Sequence, residues 1–163
     1  MRGTRLLMLG TVVVLGVVVI APFAGARRTG VSATAGVKVA FNKKLKKSIL
    51  VDGRGFTLYL YTADTGGKPA CYNDATYHCS KAWIPLRSTG APRAGAGAKA
   101  SLLGLVKRRD GGTQVTYNRH PLYTAEGANS FGLTPDKKPG DVHGQGFVGI
   151  WYVLSPKGNA ITH

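Results

Sequence analysis

Acidic residues are scarce: the 163-residue chain holds 7 aspartates and glutamates against 22 lysines and arginines. With so few carboxylates, no pair is marked by position as the acid and base of a glycosidase. Only four histidines occur, His78, His120, His143 and His163, and no two stand at H-x-H or H-x-x-x-H spacing. A metal or haem centre would have to gather its ligands from separate loops. Ser48, Ser80, Ser101 and Ser155 lie in no nucleophile-elbow context, so no catalytic serine can be named. The Gly-Lys-Ser/Thr core of a phosphate-binding P-loop is missing. No segment after residue 36 keeps a helical hydrophobic period, which argues against a helical bundle. These absences leave no catalytic residue, metal set or cofactor motif to assign.

What is present begins at the N-terminus. Arg2 and Arg5 precede an apolar run from Leu6 to Ala21, and Ala24-Gly25-Ala26 follows. A basic start, an apolar middle and an A-x-A site describe a secretory signal with cleavage after Ala26. The run is 16 residues long, or 21 if counted on to Ala26, against about 20 for a membrane span. Residues 1–26 therefore read as a signal peptide or an N-terminal membrane anchor, and both deliver the rest outside the cytoplasm. The segment has no polar face, unlike an amphipathic core helix. No cysteine follows the run, so lipid attachment at the usual bacterial lipoprotein position is not available. Residues 27–36 form a polar linker, and residues 37–163 are long enough to bury one core.

The two cysteines, Cys71 and Cys79, read as a disulfide in an exported chain. The alternative, a zinc pair with His78, needs a fourth ligand from afar. Without Arg2 and Arg5, 20 basic residues still face the same 7 acids. Such a surface attracts polyanions, which outside a cell are anionic wall polymers and lipid headgroups. No specific nucleic-acid partner is expected.

Val37, Val39 and Phe41 alternate with polar or small residues at strand period. Phe56 to Tyr61 is the best strand, with Phe56, Leu58 and Leu60 on one face and Thr57, Tyr59 and Tyr61 on the other. Leu102–Lys107 and Thr113–Tyr117 flank Asp110-Gly111-Gly112 as a hairpin. Phe147–Leu154 reads as another strand and Ala160–Thr162 as a short last one. The fold class expected is all-β and antiparallel.

Leu60-Tyr61-Thr62-Ala63-Asp64 returns 62 residues later as Leu122-Tyr123-Thr124-Ala125-Glu126. Each copy follows an Asp-Gly turn and precedes a tryptophan, Trp83 or Trp151. Two diverged β-repeats, at about 48–86 and 106–158, are expected to share one core.

Larger segments carry a family likeness. They are Tyr59 to Asp64 with Cys71, Cys79 and Trp83-Ile84-Pro85-Leu86, then Thr116 to Tyr123 with Asp136 to Gly146 and Trp151. Over about residues 48–158 the chain resembles the bacterial secreted-repeat lipoproteins, which share a Tyr-x-aromatic-x-x-Asp motif. The resemblance implies an envelope location and a tandem repeat, and no particular activity. The chain departs from that pattern in lacking the lipid-accepting cysteine. It also carries an insertion between Tyr123 and Asp136, so the strict motif survives only at Tyr59, Tyr61 and Asp64.

The candidate ligand residues are Tyr59, Tyr61, Asp64, Tyr123, Asp136, Asp141 and His143. Paired tyrosines beside a carboxylate suit stacking on a planar ring, and equally suit ordinary half-buried packing. The glycine-rich stretch Gly140 to Gly146 offers backbone N–H groups to an anion. The function expected is a non-enzymatic cell-envelope module that binds anionic components through its basic surface. The alternative is an extracytoplasmic redox or carrier protein holding a quinone, haem or metal near Tyr59, Tyr61 and His120 or His143.

Overall fold

The alternation from Val37 onwards becomes the first strand of the computed structural model, which describes residues 34–74, 78–127 and 132–162. The signal or anchor segment 1–26, most of the linker and His163 lie outside the described residues. Strands β1 (Gly36–Asn42) and β2 (Lys47–Asp52) form a hairpin, with Val37 opposite Asp52 and Asn42 opposite Lys47. The Asp52 carboxylate then accepts the N–H groups of Arg54 and Phe56, which fixes the turn into β3 (Tyr59–Tyr61). One helical turn, α1 (Cys79–Ala82), leads to the short strands β4 (Ile84–Pro85) and β5 (Arg93–Ala94). The hairpin β6 (Leu103–Lys107) and β7 (Thr113–Tyr117) follows, then β8 (His120–Pro121), β9 (Tyr123–Thr124) and β10 (Trp151–Val153).

The domain is all-β. The described strands form a four-stranded antiparallel sheet in the order β10-β3-β9-β4 and two three-stranded sheets, β2-β1-β5 and β6-β7-β8. Among the described strands only β1 and β5 run parallel. The expected strand at 147–154 is shorter than its apolar pattern. Gly146, Val148 and Gly149 all adopt positive φ, so 147–149 closes as a 3-10 turn and pairing starts at Trp151.

Alternation along the central strands sorts side chains into two cores. Tyr59, Trp83, Tyr123, Trp151, Ile49, Val51 and Val153 pack on one side. Leu50, Leu58, Leu60, Val115, Leu122 and Leu154 pack on the other. Both faces of β3 are thus buried, and along this stretch period two puts Tyr59 with the first core and Leu58 and Leu60 with the second.

Backbone hydrogen bonds close two matching triangles. Leu58 N–H donates to Leu50, Leu50 to Leu154, and Leu154 back to Leu58, at 3.0, 2.9 and 3.3 Å. Leu122 N–H donates to Val115, Val115 to Leu86, and Leu86 back to Leu122, at 2.9, 2.8 and 2.9 Å. Each triangle therefore takes its third member from the other half of the chain. Under this geometry Trp-x-x-Leu at 83–86 corresponds to 151–154, and Leu58-Tyr59 to Leu122-Tyr123. Tyr59 stands directly across from Tyr123. The hydrogen bonds thus match Leu58 with Leu122, Leu50 with Val115 and Leu154 with Leu86, at offsets of 64, 65 and 68 residues, whereas the Leu60–Asp64 alignment uses 62.

Cys71 and Cys79 form a disulfide that braces the irregular segment before α1. It fits an oxidising compartment. Replacing both by serine is expected to lower the unfolding free energy by ~2.5 kcal/mol, the loop-closure entropy of a ring of about nine residues. Urea titration reads this as a lower midpoint, and an unchanged midpoint would assign the loop's order to its other contacts.

Candidate functional site

Trp83 and Trp151 bring the two halves together. Their rings stack at 3.8 Å with an interplanar angle of 3°. Tyr59 meets Trp83 edge to face at 5.4 Å, and Tyr123 meets Trp151 in the same way at 5.2 Å. The hydroxyls then cross between the halves. Tyr59 donates to Asp136 Oδ2 at 2.6 Å, and Tyr123 to Asp64 Oδ1 at 3.3 Å. Asp136 takes the place relative to Tyr123 that Asp64 takes relative to Tyr59. Glu126, which the 62-residue alignment pairs with Asp64, instead lies outside this frame and binds the Arg54 guanidinium at 2.9 and 2.6 Å.

The two pairs differ in their surroundings. Asp136 Oδ1 accepts the His143 backbone N–H at 2.8 Å and lies 3.3 Å from His143 Nδ1. Gly144 N–H reaches the Tyr59 hydroxyl at 3.3 Å. A Cβ at Gly144 would stand 2.7 Å from Trp83 and 2.8 Å from Tyr59, so only glycine allows this approach. Burial, then the charge of Asp136, pushes the Tyr59 hydroxyl up, so it keeps its proton and acts as donor. Burial likewise raises the Asp136 carboxyl.

At the second pair, Asp64 Oδ1 also accepts the Ala70 N–H at 2.7 Å, while Oδ2 is buried without a partner among the described residues. Burial raises this carboxyl to about 7, against the pull of the Ala70 N–H and the Tyr123 hydroxyl. Nearby Arg108 is itself buried. It donates to Gln114 Oε1 at 2.6 Å, to the Cys71 carbonyl at 2.8 Å and to both Asp110 oxygens at 2.8 Å. Gln114 in turn donates to the Leu122 carbonyl at 2.8 Å. Sequence reasoning missed Arg108 and Gln114, because a buried arginine in a Lys-Arg-Arg-Asp run looks like any surface charge.

The accessible feature is a cleft of about 820 Å³ between the β1–β2 turn and the 134–143 loop. Lys43 and Lys44 line one side, and Lys137, Lys138 and His143 the other, with Phe41 at the edge. Phe41 is 66% exposed, an apolar surface beside the cations. Asn42 Nδ2 ties the walls by donating to the Gly140 carbonyl at 3.0 Å, and buried Thr57, outside the lining, holds the loop by donating from Oγ1 to the Asp141 carbonyl at 2.6 Å. Asp141 is the sole acid of the lining. Its carboxylate accepts the N–H groups of Lys137 and Lys138 at 3.1 and 3.3 Å and lies 3.6 Å from Lys44 Nζ. The Lys137 N–H, foremost, holds it below the usual carboxylate range. Engaged in this way, Asp141 leaves the surrounding cations in excess.

The structure thus divides the sequence candidates. Tyr59, Tyr123, Asp64 and Asp136 form the buried crossed frame. Asp141 and His143 border the basic cleft, and Tyr61 stacks on Trp151 at 4.3 Å. His120 lies apart, partly buried in β8, with burial lowering its pKa. Compared with family models, curated proteins and solved structures, the chain finds no match in any of the three.

Two outcomes follow from the frame. Tyr59→Phe leaves buried Asp136 without its shortest donor and is expected to cost about 1–3 kcal/mol. Tyr123→Phe, losing a 3.3 Å bond, should cost less, and chemical denaturation of both variants checks the order. Asp64 binds its proton more tightly folded than unfolded, so it favours folding fully at low pH. That contribution is lost between about pH 4 and about 7. The stability of wild type minus that of Asp64→Asn should therefore fall across this window and be level above it.

Proposed function

We propose that the chain is an exported cell-envelope protein whose β-domain binds an anionic envelope component in the basic cleft. The cleft's composition carries the reading: four lysines and an imidazole converge there, and the one acid is already engaged by backbone N–H groups and Lys44. Asn42 ties the two walls and Thr57 holds the 134–143 loop, so the backbone that carries the lysines is set before a ligand arrives. Phosphate or carboxylate groups spaced along a wall polymer, or clustered on a lipid surface, match this charge. Export is supported by the n-region, apolar run and A-x-A site of residues 1–26, and by the disulfide. The repeat reading is supported by the matching triangles and the crossed Tyr–Asp pairs. We read the domain as two diverged units that have exchanged their Trp-x-x-Leu strands, in keeping with the resemblance to secreted-repeat lipoproteins.

Residues 27–163 are expected to bind isolated cell wall or anionic-lipid vesicles at low salt and to release them as salt rises. Screening shortens from roughly 30 Å at 0.01 M to roughly 3 Å at 1 M. Lys43→Glu with Lys138→Glu should reduce binding at least about tenfold, since each lysine near an anionic surface adds about 1 kcal/mol. Sedimentation with wall fragments and with vesicles separates the two sources. Binding to either that ignores both salt and charge reversal would overturn the reading.

A further inference from the structure

A second cleft, of about 500 Å³, opens beside the tryptophan stack. Its lining includes Tyr61, Trp83, Phe147, Val148, Ile150 and Trp151. Among the described residues no lysine or arginine lines it, and Asp74 is the one charged residue of the lining. A cleft without cations does not suit the anions assigned to the basic cleft.

The ring geometry narrows the ligand further. Tyr61 covers one face of Trp151 at 4.3 Å and 7°, and Trp83 covers the other at 3.8 Å and 3°. Trp151 can therefore offer the cleft only its edge. Ring edges carry the positive part of the aromatic quadrupole, whereas faces carry the negative part. A positive rim repels an ammonium group, which binds to ring faces. It attracts electron-rich oxygens and the face of a planar ring. The outer wall is apolar and unusually shaped. Val148 is 69% exposed and holds φ 45°, between Gly146 and Gly149 at 70° and 75°. A β-branched residue in that region is strained, and such strain gathers at ligand clamps.

We infer that this cleft binds an uncharged, planar aromatic ring bearing carbonyl oxygens, of the quinone class. Val148, Ile150 and Phe147 cover the ring, and the edges of the aromatic column face its oxygens. This site is separate from the basic cleft and does not depend on the polymer-binding reading.

The chain has only two tryptophans, and both line the cleft, so their emission reports on it directly. The test titrates residues 27–163 with a water-soluble 1,4-naphthoquinone, corrected for absorbance, and repeats the measurement by equilibrium dialysis. Saturable one-to-one binding is expected. Val148→Asp, at an exposed position that leaves the cores intact, and Phe147→Ala should each weaken it about tenfold. Lys43→Glu with Lys138→Glu should leave it unchanged. Linear, unsaturable quenching with no bound quinone in dialysis would overturn the inference, as would equal affinity in wild type and Val148→Asp. Binding of benzyltrimethylammonium in place of the quinone would also overturn it and make the cleft a cation site.

Discussion

The rest of the domain depends on the contact between Trp83 and Trp151. Their parallel rings stack at 3.8 Å, and Trp83 and Trp151 each stand three residues before the leucine that closes a hydrogen-bonded triangle built otherwise from the other half of the chain. Leu86 closes the triangle built from Val115 and Leu122, and Leu154 closes the one built from Leu50 and Leu58. Neither half can therefore satisfy its backbone groups or bury its tryptophan alone. Tyr59 and Tyr123 add a second link of the same kind, because each hydroxyl is satisfied by a carboxylate from the other half. Buried polar groups left unpaired are costly, so these crossings help specify one arrangement as well as stabilise it.

The same frame accounts for the charge of the surface. Asp52 holds a turn, Asp64 and Asp136 accept the tyrosines, Asp110 binds Arg108, Glu126 binds Arg54 and Asp141 accepts two backbone N–H groups. Six of the seven acids thus do structural work within the fold, and few remain to offset the exposed lysines. The cationic cleft is a consequence: Lys43, Lys44, Lys137 and Lys138 stand around an aspartate already engaged. The aromatic column segregates on another part of the molecule, so a charged and an uncharged ligand would meet different surfaces.

Local pattern made several elements legible. Alternation at Val37–Phe41 and around Tyr59, and the Asp-Gly-Gly turn between β6 and β7, marked strands because side-chain direction follows a period of two. The cysteine pair was readable from spacing and context. The start of the 147–154 segment was misjudged, since the positive φ of Val148 leaves no signature in an apolar pattern. The 62-residue alignment matched four of five letters, yet the hydrogen bonds match Leu58 with Leu122 and Leu50 with Val115 at other offsets. The recurrence of Leu-Tyr and Trp-x-x-Leu carried that information in a sparser form.

By itself the sequence determined the β-class of the domain, the disulfide and the excess of positive charge, because these follow from nearest neighbours and composition. It also listed Tyr59, Tyr61, Asp64, Tyr123, Asp136, Asp141 and His143 as ligand candidates, without pairing them. Only the tertiary structure decided that the pairs cross, that Arg108 and Gln114 are buried among them, and that two lysine runs 94 residues apart face one cleft. Those outcomes depend on contacts between distant segments, which are set by how whole faces pack and which no local spacing records.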